Sequence, residues 1–132
     1  MLTLALILTQ AHGLDVAGLW LIPPDEPGGP DRGTVEIVME DGVPVGRIAS
    51  VGEAYRGTPE EEAALGLTIL GGFEADGERW RRGKILDPEA DRTYRAKMAR
   101  EGETLSVKGC VAFICREQVW LPAPPPSVTA AP

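Results

Sequence analysis

Histidine occurs once in this chain, as His12, and cysteine twice, as Cys110 and Cys115. With so little histidine, and that at the extreme N-terminus, a Ser-His or Cys-His nucleophile pair and a histidine general base are not to be had in the body of the chain. Two thiols spaced Cys-x4-Cys, with no further ligand beside them, neither complete a structural zinc site nor form a Cys-x-x-Cys redox pair. Positive charge is scarce as well. Thirteen Lys and Arg stand against twenty Asp and Glu, a net charge of -7. That balance argues against nucleic acid as a partner and against a polybasic membrane-surface role. No apolar run approaches the roughly 20 residues that span a bilayer, so no membrane span is expected. Gly-x-Ser-x-Gly, His-Glu-x-x-His and phosphate-loop patterns are missing too. Carboxylates are plentiful, but Glu60, Glu61 and Glu62 read as a solvated helix start and Asp87 as a turn former before Pro88. The sequence therefore points away from an enzyme and calls for no cofactor or metal.

What the chain does have is turn chemistry. Sixteen Gly and twelve Pro among 132 residues suit one domain with many short connections. Residues 34–40 show the pattern most clearly: Val35, Ile37 and Met39 alternate with Thr34, Glu36 and Glu40, the period-two signature of a half-buried strand. Asp41-Gly42 follows as a hairpin turn, because Gly tolerates positive φ. By the same reading, strands are expected at 17–22, 34–40, 43–50, 67–73, 80–86, 92–100, 105–110 and 115–121. The connections Asp76-Gly77, residues 87–91 and Glu101-Gly102 are turn sequences. One short helix is expected at 59–65, with Thr58 as N-cap, Pro59 in the first turn and three acids to meet the helix dipole.

The ends are different in kind. Residues 1–13 contain no Lys, Arg, Asp or Glu, and Leu2 opens an apolar run that ends at Leu8. Ala11-His12-Gly13 places small residues at the -3 and -1 positions of a cut after Gly13. This reads as a secretory signal with a short apolar run and no positive start, which makes a periplasmic or secreted location the expectation. A first strand or buried helix is the competing reading. Residues 122–132 hold five prolines among small residues and read as an extended tail. The single domain is thus expected over 14–121.

Eight short antiparallel strands with no helical layer must bury their apolar faces against one another. The expected fold is all-β: an antiparallel barrel of about eight strands with one short helix, which leaves no exposed edge. A two-sheet sandwich is the alternative. Gly18-Leu19-Trp20, Gly46-Arg47-Ile48, Gly66-Leu67, Trp80, Gly83-Lys84-Ile85, Asp87-Pro88, Thr93-Tyr94, Leu105, Val107-Lys108-Gly109-Cys110, Gln118 and Trp120 follow one another in an order that resembles a bacterial family, the secreted domain of unknown function 2147. The resemblance spans about 18–120. It implies a signal peptide, an envelope location and a lipocalin-like (calycin-like) barrel, and it implies no established activity. In such barrels a Trp near the first strand packs beneath the cavity floor, and Trp20 resembles that residue. Two departures stand out: Asp91-Arg92 replaces a usual Gly-Lys, and Val45 precedes Gly46 where many relatives carry Cys.

Cys110 and Cys115 sit at the ends of one short apparent hairpin, within disulfide reach if the strands face each other. Export makes that bond permissible. The intervening Val111-Ala112-Phe113-Ile114 lacks Gly, Asn and Asp, so the tip must plug the barrel end or meet something apolar outside it; the plug is the favoured reading. Arg47 is read as a cation that covers a Trp face or the barrel end. If the barrel binds a small apolar molecule, alternation selects Trp20, Ile37, Tyr94, Met98, Val107 and Trp120 as its lining. Core packing is the competing role for each Trp. Two functions follow: a binding module with an open interior, or a structural or interaction protein with a solid barrel. Cavity volume separates them.

Overall fold

The computed structural model describes residues 12–124. Most of the expected signal segment and of the Pro-rich tail lies outside the described residues. Nine strands lie among the described residues: β1 (Gly18–Leu21), β2 (Gly33–Glu40), β3 (Val43–Val51), β4 (Thr68–Gly71), β5 (Glu74–Asp76), β6 (Arg79–Asp87), β7 (Arg92–Glu101), β8 (Thr104–Val111) and β9 (Ile114–Pro122). A 3-10 turn at Glu53–Tyr55 and the helix α1 (Pro59–Ala64) lie between β3 and β4.

Every pairing is antiparallel, and β4 meets β6 while β1 meets β9, so the sheet closes into a barrel. The expected strand at 67–73 is split. Leu70 pairs with Ile85 and Glu74 with Arg81 in one common register, so β4 and β5 are two arms of a single strand along β6. The break falls where β6 bulges, at Arg82 with φ +58°. Gly83 explains it: the Phe73 ring occupies the place where a Cβ at Gly83 would stand. Counting the two arms as one, the ring has eight strands.

The turns obey the local chemistry. Asp41 and Gly42 both take positive φ, +52° and +79°, as a two-residue hairpin of matched twist requires. Alternation along β2 buries Gly33, Val35 and Ile37 and leaves Glu36 and Glu40 outside. The core gathers toward one end of the barrel, where Trp20, Trp80, Ile37, Leu70, Phe73, Met98 and Leu105 pack together. The short segment before β1 helps to seal it: Val16 is fully buried, and the Leu14 carbonyl accepts the Trp80 indole N–H at 3.0 Å. The Gly13 carbonyl accepts the Arg100 backbone N–H at 2.8 Å, and Ala123 N–H donates to Leu19 at 2.9 Å, so the barrel's own hydrogen bonding extends slightly past 14–121 at each end.

Arg47 does not cover a Trp. It pairs with Glu40 at 2.9 Å on the surface, and the cation over Trp20 is Arg100, 5.6 Å from the ring centroid. Arg47 neighbours Glu36 and Thr68 on the outer face of the sheet, whereas Arg100 stands at the closed end beside Trp20.

Candidate functional site

The other end of the barrel is open. There the strands enclose a cavity of about 1000 Å³. Its walls are the inward positions of the upper halves of the strands: Ile48 on β3, Ile69 on β4, Ile85 on β6, Tyr94 on β7, Val107 and Gly109 on β8, and Gln118 and Trp120 on β9. Ala63 and Ala64 of α1, with Leu67 behind them, form one side of the mouth. This size lies at the upper end of small-molecule sites, which run to roughly 1,000 Å³.

The six residues expected to line such a cavity divide by height. Tyr94, Val107 and Trp120 are on its wall. Trp20, Ile37 and Met98 face inward as the alternation requires, but are buried in the packed end and do not reach the cavity wall. Trp20 donates its indole N–H to the Val16 carbonyl at 2.9 Å, which fixes it as part of the closed end. Alternation reveals the inward side of a strand; it carries no information on depth, which depends on strand tilt and stagger. The remaining wall, Ile48, Ile69, Ile85 and α1, carries the same inward-facing pattern or comes from the β3–β4 connection, where period-two reasoning does not reach.

Charged groups of both signs line the cavity, Arg32, Glu60, Asp87, Glu89, Arg92 and Arg116. The Trp120 indole N–H donates to Gln118 Oε1 at 3.0 Å. Since an indole N–H can only donate, the Gln118 oxygen is committed downward and its amide N–H groups remain for the cavity. Arg116 stands above Gln118 on the same strand face, and its cross-strand neighbour is Gly109. Across the mouth, Asp87 Oδ1 accepts the backbone N–H groups of Glu89 and Ala90 at 3.0 and 3.3 Å and so shapes the β6–β7 turn. The charge of Glu89 beside Tyr55 holds that phenol's pKa above its ordinary value, and Tyr55 stays protonated as a rim donor. No group of metal-binding side chains is found among the described residues, and none of their helices is long and apolar enough to cross a membrane.

The β8–β9 hairpin rises at the mouth. Cys110 and Cys115 face each other across it and are joined, S–S 2.07 Å. Beyond the bond the tip does not plug the barrel, contrary to the favoured expectation. Val111 and Ile114 are 58% and 72% exposed and Phe113 is fully exposed. The tip is held upright by its own covalent bond and by Arg95, which donates to the Ala112 carbonyl at 2.6 Å. A plug would have to bend inward against both.

A closed eight-stranded antiparallel barrel with one open, apolar end defines a lipocalin-like protein. The sequence profile of a bacterial family described as "Uncharacterized protein conserved in bacteria (DUF2147)" matches residues 18–121, and the chain belongs to that family. Among solved structures it is similar to protein HP1028 from the human pathogen Helicobacter pylori, described as belonging to the lipocalin family. The two share 13% identity over 83% of each chain, with a TM-score of 0.65, which speaks for the fold alone. No curated protein matches the chain.

Proposed function

We propose that this protein is a non-catalytic carrier or receptor for a small, mostly apolar molecule, held in the open end of the barrel. The observation that supports this best is the cavity itself: about 1000 Å³ of space walled chiefly by aliphatic side chains with Tyr94 and Trp120. The alternative, a solid barrel that acts only through its surface, sits badly with that volume. Water in so apolar a chamber finds few partners, so an apolar molecule displacing it gains about 25 cal/mol for each Å² of apolar surface covered. Tyr94, Val107 and Trp120 are the residues through which the ligand is expected to touch the wall.

The site of action we assign to an oxidising compartment, the periplasm or the exterior. The Cys110–Cys115 bond supports this, since such bonds persist where thiols are not kept reduced. Residues 1–13, with their apolar run, agree with export. Native mass spectrometry of the protein isolated from its own cells tests the carrier reading. A non-covalent adduct of defined small mass, lost on denaturation, is the expected result. Repeated isolation of the bare chain, together with no uptake of apolar compounds added afterwards, would reject it.

A further inference from the structure

Charged side chains ring the cavity mouth on several elements, Arg32, Glu60, Asp87, Glu89 and Arg92 among them, but β9 carries polar groups in steps from the floor upward. Inward positions of β9 run, from floor to mouth, Trp120, Gln118, Arg116 and Ile114, so two donor side chains, Gln118 and Arg116, stand in sequence above the Trp120 floor. Gln118 is oriented by Trp120, as described, and offers N–H groups inward. Arg116 is a permanent cation. Among the described residues no carboxylate lies within 4.0 Å of it, whereas Arg32, another cation of the cavity mouth, is paired with Asp25 at 3.1 Å. Its place on the sheet explains this: Arg116 faces Gly109 across the pair, and a glycine offers neither charge nor bulk. The cavity's other unpaired cation, Arg92, differs in that its cross-strand neighbour is Asp87.

We propose that the ligand is a single-chain amphiphile with an anionic head, a carboxylate or a phosphate monoester, seated against Arg116 and the Gln118 amide with its tail on Val107 and Trp120. This rests on the carrier reading above and adds the chemistry of the head. Carboxylates also stand at the mouth, but on the α1 and β6–β7 sides. Asp87 is committed to its turn, while Glu60 belongs to α1 and Glu89 to the β6–β7 turn. A cationic head would go to those acids instead, which makes head charge the discriminating variable. A guanidinium at a half-solvated mouth interacts with an anion through charge-assisted hydrogen bonds that salt weakens.

Isothermal titration of the full chain with dodecanol, dodecanoate, dodecyl phosphate and dodecyltrimethylammonium, each below its micelle concentration, tests the assignment. One or both anions are expected to bind about tenfold tighter than the alcohol, a preference that shrinks with added salt. Comparison of dodecanoate with dodecyl phosphate tells which anion the mouth prefers. Arg116→Gln should reduce the ratio of anion to dodecanol affinity to near one, and Arg116→Glu should turn the preference toward the ammonium probe. Arg116 is exposed, so both variants are expected to fold, and circular dichroism checks that they do. Equal affinity for alcohol and anions, or an anion preference that survives both variants, overturns the head assignment and leaves the carrier reading standing. Failure of every probe to bind overturns both.

Discussion

The indole N–H of Trp20 donates to the carbonyl of Val16, four residues earlier, at 2.9 Å, and both residues are buried. The bond ties the segment before β1 across the closed end of the barrel. Trp20→Phe leaves that carbonyl unpaired and removes part of a packed ring, at a cost of about 2–4 kcal/mol. Urea unfolding should show that loss while the affinity for an apolar probe, corrected for the folded fraction, stays near that of the parent. A Trp20→Phe protein of full stability and lost binding would move Trp20 from the packed end to the site.

Gly83 and Gly109 make a paired test of packing. A Cβ at Gly83 meets the Phe73 ring, while at Gly109 it would find ordinary contacts, 3.7 Å to Ile85 Cγ2 and 3.8 Å to Tyr94 Cβ. Gly83→Ala is expected to cost about 1–3 kcal/mol through overpacking, and Gly109→Ala about 0.5 kcal/mol or less. Thermal melts of the two variants decide it, and equal effects would contradict the assignment of Gly83 to the packed end.

The hairpin bond closes a short loop, with a sequence separation of 5 between Cys110 and Cys115. Chain entropy alone then gives about 2 kcal/mol of stabilisation. Replacing both cysteines by serine should lower the unfolding free energy by no more than that. Thiol labelling of the denatured, unreduced protein should find no free cysteine; two reactive thiols in material taken from an oxidising compartment would exclude the bond.

Phe113 touches too little to matter for folding. Phe113→Ser is expected to change stability by less than about 0.5 kcal/mol, and to reduce self-association at high concentration, since the exposed Val111, Phe113 and Ile114 make one apolar knob. Unfolding curves and light scattering measure the two effects separately. A substantial loss of stability would mean that Phe113 packs against the barrel.

Much of the barrel was legible in the residues. Alternation along Val35 and Ile37 and the Asp41-Gly42 turn describe the β2–β3 hairpin almost to the residue, although Met39, expected on the same buried face, is 44% exposed. The break at Gly72-Phe73 was not, because it arises from the Phe73 ring filling the space above Gly83, a contact between neighbouring strands that no local pattern encodes. Ile37 and Val107 obey the same alternation, yet one lies in the packed end and the other on the cavity wall. Strand stagger makes that difference. Ala63 and Ala64 reach the mouth through a connection whose path only the folded chain reveals. The hairpin tip was legible as apolar but not as exposed, since the outcome depended on the brace from Arg95 to Ala112.

Titration with the uncharged fluorophore N-phenylnaphthylamine, compared between the parent and Gly109→Phe, bears most directly on the central claim. Gly109 lies on the wall among Tyr94, Val107 and Arg116, with backbone that accepts a side chain, so a phenyl group there projects into the cavity and fills part of it. The parent should show saturable enhancement at about one probe per chain. In Gly109→Phe that binding should weaken by at least tenfold with little change in melting temperature. Saturable binding of equal affinity in both proteins, or no saturable binding in the parent, would contradict a ligand site inside the barrel.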